Sequence, residues 1–386
     1  MDFDLPWELE RVRETVRSFV DKELIPLERT LEDPEVIPRD VRAALDAKVK
    51  ATGLWAAAVP ESEGGGGLGV LGHIVIREEV CRTIVGDARD ERGFGGNPWP
   101  VLYYCTPAQK ARYLVPIVRG EATMFFGMSE PGAGNDAGSI RTTALRDGNA
   151  WVLNGSKTWI TAAGEADFGV VFAMTDPSKG ARGGLSCFFV DRDNPGMTIS
   201  KPHRTIGAAR IHDIFLDDCR LPLDALIGEV GAAFELAQKT LTITRLMQVP
   251  ISVGLAQRAL ELAMSYARRR VTFGQPIGER EAVQSMVAES EAEIRAARLM
   301  SYAVAWRLDH GEEPRREAAV AKVYAGEMGS RVLDRAIQIH GGLGVSRELP
   351  LERMFRDQRS FRITEGGTEV QRWVIARDLL STRPRT

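Results

Sequence analysis

Glu365 is the carboxylate whose setting most suggests chemistry. It lies in Ile363-Thr-Glu-Gly-Gly-Thr-Glu-Val-Gln-Arg372, where Gly366-Gly367 frees the chain and Thr368-x-x-Gln371 has the spacing of a capping box. A helix is expected to start at Thr368 and run through Trp373, Val374 and Ala376, with Glu365 just outside it. A carboxylate there can offset the helix dipole, or act as a general base on a hinge. A second polar loop, Met128-Ser-Glu-Pro-Gly-Ala-Gly-Asn-Asp-Ala-Gly138, offers Ser129 and backbone amides to an anion or a heterocycle edge; it reads equally as an inter-domain linker. Arg268-Arg-Arg270 ends a helix that begins near Ser252, so its cations suit a helix C-terminus or clamp a phosphate beside Phe273. Gln338-Ile-His-Gly-Gly-Leu-Gly344 closes another helix, with Gly341-Gly342 fit for a cap or for close approach to a ligand. His340 has no Ser or Cys nucleophile motif beside it and reads as a local residue. Gly64-Gly-Gly-Gly-Leu-Gly69 satisfies G-x-G-x-x-G, but no alternating βαβ pattern surrounds it. Glu61 and Glu63 stand where a pyrophosphate needs amides, so the segment reads as a flexible surface loop.

The elements that must position these residues fall into three blocks. Residues 7–120 show helical spacing, for example at Leu9, Val12, Val16, Phe19 and Val20. From about Thr123, short β-branched and aromatic runs alternate with turn residues, which predicts an antiparallel sheet or barrel; Asn154-Gly155 has the form of a hairpin turn. After Gly228 the helical period returns, and the apolar or small residues at 283, 287, 290, 294, 297, 301, 304 and 308 make the seam of an antiparallel bundle. The expected fold is α+β: an N-terminal helical domain (1–122), a middle β domain (123–228) and a C-terminal four-helix bundle (229–386).

Composition excludes several classes. The 386 residues are 44% hydrophobic and 27% charged, ordinary globular usage. Fifty basic residues against fifty-three acidic ones argue against general nucleic-acid affinity, and no apolar run is long enough for a membrane span. Four scattered cysteines lack metal-ligand spacing and read as free thiols of a cytoplasmic protein, with no metal site expected.

Taken together and in order, these segments resemble the flavin-dependent acyl-CoA dehydrogenase family. Met128-Ser-Glu-Pro-Gly-Ala-Gly-Asn-Asp is similar to its M-[ST]-E-P-x-A-G-S-D signature, and Lys157-Thr-Trp-Ile-Thr161 to its K-x-[WY]-I-[TS] strand. Arg270-Val-Thr-Phe-Gly-Gln-Pro-Ile resembles R-x-x-F-G-x-P-[IL]; Gln338-Ile-His-Gly-Gly and Thr364-Glu-Gly-Gly-Thr-Glu resemble the Q-x-x-G-G and Y-E-G-[TS] motifs. The resemblance implies one FAD per subunit, with Phe126, Met128 and Ser129 on one side of the isoalloxazine and Trp159, Ile160 and Thr161 on the other. Arg270, Thr272, Phe273, Gln338, Gly341 and Gly342 would reach the flavin of a neighbouring subunit in a homodimer or homotetramer, and Gly367, Thr368 and Glu369 would lie near the cofactor. It implies an acyl-CoA substrate met by Asn135, Thr242, Arg245 and Gly366, with Glu365 removing the α proton as the β hydride passes to flavin N5. Electrons would pass to an electron-transfer flavoprotein. Alternatives on the same scaffold are a flavin oxidase or monooxygenase, or a non-catalytic accessory subunit. The sequence departs from the family pattern at Asn135 (usually Ser), at Thr364 (usually Tyr) and at Thr242 (acidic in medium-chain members). It also places His212 near the substrate mouth by position, and these departures bear on the acyl group.

Overall fold

Three- and four-residue spacing of apolar side chains gives helices at both ends of the chain, and the β-branched runs between them give strands. The structure, a computed structural model, describes residues 4–381. The chain forms two compact units: one holds the residues up to Gly95, Ile206–Ala208 and those from Thr242 onward, and the other holds Gly96–Thr205 with Ala209–Leu241. Helices from opposite ends of the chain thus share one unit.

In the helical unit, α1 (Trp7–Phe19), α2 (Arg39–Thr52) and α3 (Gly69–Val80) come from the N-terminal block. The last turn of α4 (Ala233–Leu246) leads into α5 (Gln248–Arg269), α6 (Glu281–Asp309) and α7 (Arg315–His340). Helices α8 (Leu351–Ser360) and α9 (Thr368–Leu379) complete it. The α6 seam is as spaced in the sequence, with Ser290, Ile294, Ala297, Ser301 and Val304 buried. Ile74 of α3 joins Leu246, Val253, Leu260, Ile294 and Met328 in one core, so the N-terminal helices close the bundle.

One local expectation is sharpened here. The glycine run before α3 lies at the surface, with Gly64, Gly66 and Gly67 exposed, but Gly65 is closely packed: a Cβ on it would lie 2.5 Å from the Val59 carbonyl and 2.7 Å from that of Ala56. The amides that open α3 are already taken, because Asp309 accepts from Val70 N at 2.7 Å and Leu71 N at 3.0 Å. A carboxylate fills the anion position that a dinucleotide phosphate would need.

The β unit is a seven-stranded sheet in the order β1-β4-β2-β3-β7-β6, with β5 paired to β4. Its strands are β1 (Met124–Gly127), β2 (Thr143–Asp147), β3 (Ala150–Thr161), β4 (Phe168–Met174), β5 (Leu185–Asp191), β6 (Met197–Ile199) and β7 (Ile211–Pro222). Most pairs are antiparallel as expected, but β1 lies parallel to β4, because the β2–β3 hairpin is crossed before the chain returns. The hairpin turn also differs from expectation. It falls at Gly148-Asn149, while β3 runs unbroken through Asn154-Gly155. Asn154 instead pairs with Asp218 across the ladder, and a Cβ on Gly155 would sit 2.5 Å from Thr142 Oγ1. Gly155 serves close approach, not the turn.

Candidate functional site

The residues singled out from the sequence gather into two groups, each within one unit. In the β unit, Thr158 N donates to Ser129 O at 2.9 Å, and Lys157 Nζ donates to Met128 O at 3.3 Å. These bonds fasten Met128 and Ser129 beside the end of β3 that carries Trp159, Ile160 and Thr161. Lys157 and Glu130, absent from the sequence-derived site, do the fastening. Both are buried, and Lys157 Nζ lies 2.7 Å from Glu130 Oε1. The Arg141 amide and the Thr142 amide and hydroxyl supply Glu130 with three further donors. Burial works to raise the Glu130 carboxyl, but Lys157 and these donors outweigh it and hold the group below its ordinary range. The readable signal was a lysine at an inward position of a strand, 27 residues after a glutamate.

At the end of β3 the β3–β7 register shifts between Lys157 and Ile160, and Trp159 takes the left-handed region with φ +60°. The bulge turns its indole outward, 62% exposed, against His203 at a centroid distance of 5.1 Å. Phe126 stacks on Trp99 at 4.6 Å with rings 6° apart. Asn135 is exposed in the polar loop, which Asp136 braces by accepting from Gly138 N and Ser139 Oγ. His212 is buried: its Nδ1 pairs with Ser200 O at 2.8 Å, and its ring leaves no room for a Cβ on Gly164.

In the helical unit, Glu365 is half-buried with φ +56°, a strained setting for a non-glycine residue, and Gly366 follows at φ +88°. Thr244 Oγ1 donates to Glu365 Oε2 at 2.9 Å, and Arg245 Nε donates to the Glu365 carbonyl at 3.2 Å. Among the described residues no acceptor engages the Glu365 amide. Lys322 of α7 donates to the Gly366 carbonyl at 2.6 Å. Thr364 Oγ1 reaches Gln248 Oε1 at 3.4 Å, and Thr242 is buried. The capping box does not form: Gly367 is the N-cap, Thr368 is the first helical residue, and its hydroxyl turns to Glu369. Gln371 is consequently buried against Gly366 with both amide atoms unpartnered. A capping box does form between Thr106 and Gln109.

Most of the remaining residues lie on exposed parts of the helical unit. Arg270 follows α5, and Phe273 and Gly274 form the left-handed tip of a small hairpin, Phe273 being 97% exposed. Thr272 accepts from Arg280 through its carbonyl. Gln338, Gly341, Gly342 and Glu369 are exposed, whereas Gly367 and Thr368 are buried. His340 stacks on Tyr266, pairs with Ala336 O, and is pushed by burial below its ordinary range, which keeps it neutral.

Family models for the N-terminal, middle and C-terminal domains of acyl-CoA dehydrogenase match residues 7–121, 125–219 and 231–380. The chain belongs to the acyl-CoA dehydrogenase family. It is similar to human mitochondrial short-chain specific acyl-CoA dehydrogenase, 36% identical over 98% of this chain and 91% of that one. It is likewise 36% identical to (R)-benzylsuccinyl-CoA dehydrogenase of Thauera aromatica, over 99% and 97%. The solved butyryl-CoA dehydrogenase of Megasphaera elsdenii superposes with TM-score 0.90 at 32% identity, covering 99% of this chain and all of that one. As a member of this family the chain is an oxidoreductase. Among the described residues no helix is long and apolar enough to cross a membrane, and no His, Cys, Asp and Glu cluster fits a metal.

Proposed function

We propose that the protein dehydrogenates an acyl-CoA thioester to its trans-2-enoyl-CoA, with Glu365 as the base that takes the α proton and FAD as cofactor. The observation that carries this reading is the turn at Glu365. A carboxylate on a left-handed turn, with one oxygen bonded to Thr244 and its own amide unengaged, joins a base and an oxyanion donor in one residue. Thr244 would orient the carboxylate, and the Glu365 amide would donate to the thioester oxygen as an enolate forms.

The residues of the β unit fit a flavin. Trp159 is an exposed indole on a strained bulge at the end of β3, a flat face against which a planar occupant would pack. Phe126, Met128, Ser129, Trp159, Ile160 and Thr161 would hold its ring system. When bound, FAD supplies the acceptor for the β hydride. Arg270, Thr272, Phe273, Gln338, Gly341 and Gly342 would meet the cofactor of a second copy of this chain, and Phe273 stands bare at a left-handed tip, open to such a contact. A homodimer or homotetramer follows, with Gly367, Thr368 and Glu369 near the flavin. Asn135, Thr242, Arg245 and Gly366 would serve the acyl-CoA, and an electron-transfer flavoprotein would take the electrons. The four free, buried cysteines suit a reducing cytoplasm.

Glu365→Gln tests the reading. The variant should keep its flavin and lose at least about a hundredfold in the rate of anaerobic flavin bleaching by acyl-CoA. Bleaching at the parent rate would remove Glu365 from the role of base.

A further inference from the structure

Lys322 is 1% exposed on the inner face of α7, among Ala318, Ala321 and Ala325. Among the described residues no carboxylate lies within ion-pair distance of its Nζ, whose hydrogen bond goes to the Gly366 carbonyl at 2.6 Å. A buried ammonium without a carboxylate partner is costly, and methionine would fill similar volume without that cost. One residue earlier, Arg245 Nε bonds the Glu365 carbonyl. Two cations from two helices therefore grip consecutive carbonyls of a turn whose residues stand at φ +56° and +88°. A strained turn persists only where its surroundings over-determine it, and these two bonds do so.

We propose that Lys322 is a positioning residue for catalysis: with Arg245 it locks the Glu365–Gly366 turn so that the base and its amide point where the reaction needs them. The inference rests on Glu365 being the base. The groups facing Lys322 are Glu365 and Glu369 from the turn and α9, Arg245 from α4, and Glu327 from α7 itself; Arg89 in turn faces Glu365. Burial pushes the Lys322 ammonium down to about 8, with Glu365 opposing the drop and Arg245 deepening it. As pH rises through that value the clamp loses its charge, so turnover should fall on the alkaline side.

Two variants and two readouts test this on the flavin-loaded enzyme. Lys322→Met should lower kcat about tenfold or more with KM within about threefold, and should speed amide exchange at Thr368, which is held by the Arg362 carbonyl, about tenfold. Lys322→Arg, charged at every accessible pH, should keep neutral kcat within about threefold and lose the alkaline fall. A Lys322→Met kcat within about twofold of the parent, unchanged exchange at Thr368, or an alkaline fall that survives in Lys322→Arg would each overturn the proposal. Its failure is separable from failure of the base assignment: in the first case Glu365→Gln stays inactive, and in the second it bleaches flavin like the parent.

Discussion

Replacing Lys157 by methionine should destabilise the β unit and loosen the loop proposed to hold the flavin. Deleting one member of a buried ion pair costs about 3–5 kcal/mol, because the other is left charged in a dry site. Glu130 would keep its donors from Arg141 and Thr142, which places the expected loss near the lower end, about 3 kcal/mol at neutral pH. The pH dependence has a definite sign. In the parent the Glu130 carboxyl is held below its ordinary range, so its contribution is present above the unfolded value and is lost only as pH falls through the folded one. Without Lys157, burial dominates and the folded variant takes up a proton more readily than its unfolded chain. The deficit should therefore be largest at neutral pH and shrink toward about pH 5. Urea unfolding followed by circular dichroism at the two pH values measures it, and flavin content reports the loop. Adding Glu130→Gln to Lys157→Met removes the orphaned charge and should recover stability. A loss below about 1 kcal/mol, a deficit that grows on acidification, or a double variant no better than the single one would refute the argument.

Two further outcomes follow from particular contacts. Trp159→Ala removes the exposed indole from the bulge and should weaken FAD binding by about 1–3 kcal/mol, roughly five- to 150-fold, measured by flavin titration of the apoprotein with little change in melting temperature. Asp309→Ala frees the two amides that open α3 and should cost about 1–2 kcal/mol in urea unfolding, while flavin content stays at the parent level.

The fold was legible where one period dominates. The α6 seam repeats its four–three spacing over the whole helix, and the buried residues Ile294, Ala297 and Val304 sit where that spacing puts them. Local signals failed where a distant residue outbid them. Asn154-Gly155 has hairpin chemistry, but Asp218 of β7 and Thr142 just before β2 claim it, and Gly148-Asn149 makes the turn. Thr368 and Gln371 have capping-box spacing, but Gly367 caps the helix and leaves Gln371 buried beside Gly366. The glycines of 64–67 suggest freedom, whereas close contacts with Ala56, Ala57 and Val59 leave little room for a side chain at Gly65 and Gly66.

Glu365 stood out in the sequence because glycines flank it, but its supports did not, since Thr244, Arg245 and Lys322 lie on other helices. Lys322 does occupy a seam position, in the series 318, 322, 325 and 329, all of which are buried. A lysine at such a position is a readable anomaly. The Glu130–Lys157 pair was hidden in the same way, since only strand pairing brings residue 157 back to residue 130.

The central claim, that Glu365 is the base of an acyl-CoA dehydrogenation, is tested most directly by anaerobic titration of parent and Glu365→Gln proteins with a panel of acyl-CoA thioesters, following the flavin absorbance. The account predicts that at least one thioester bleaches the parent and yields the 2-enoyl product, while the variant binds that thioester with its flavin still oxidised. Bleaching of the variant at the parent rate, or a parent that no thioester reduces, would contradict it.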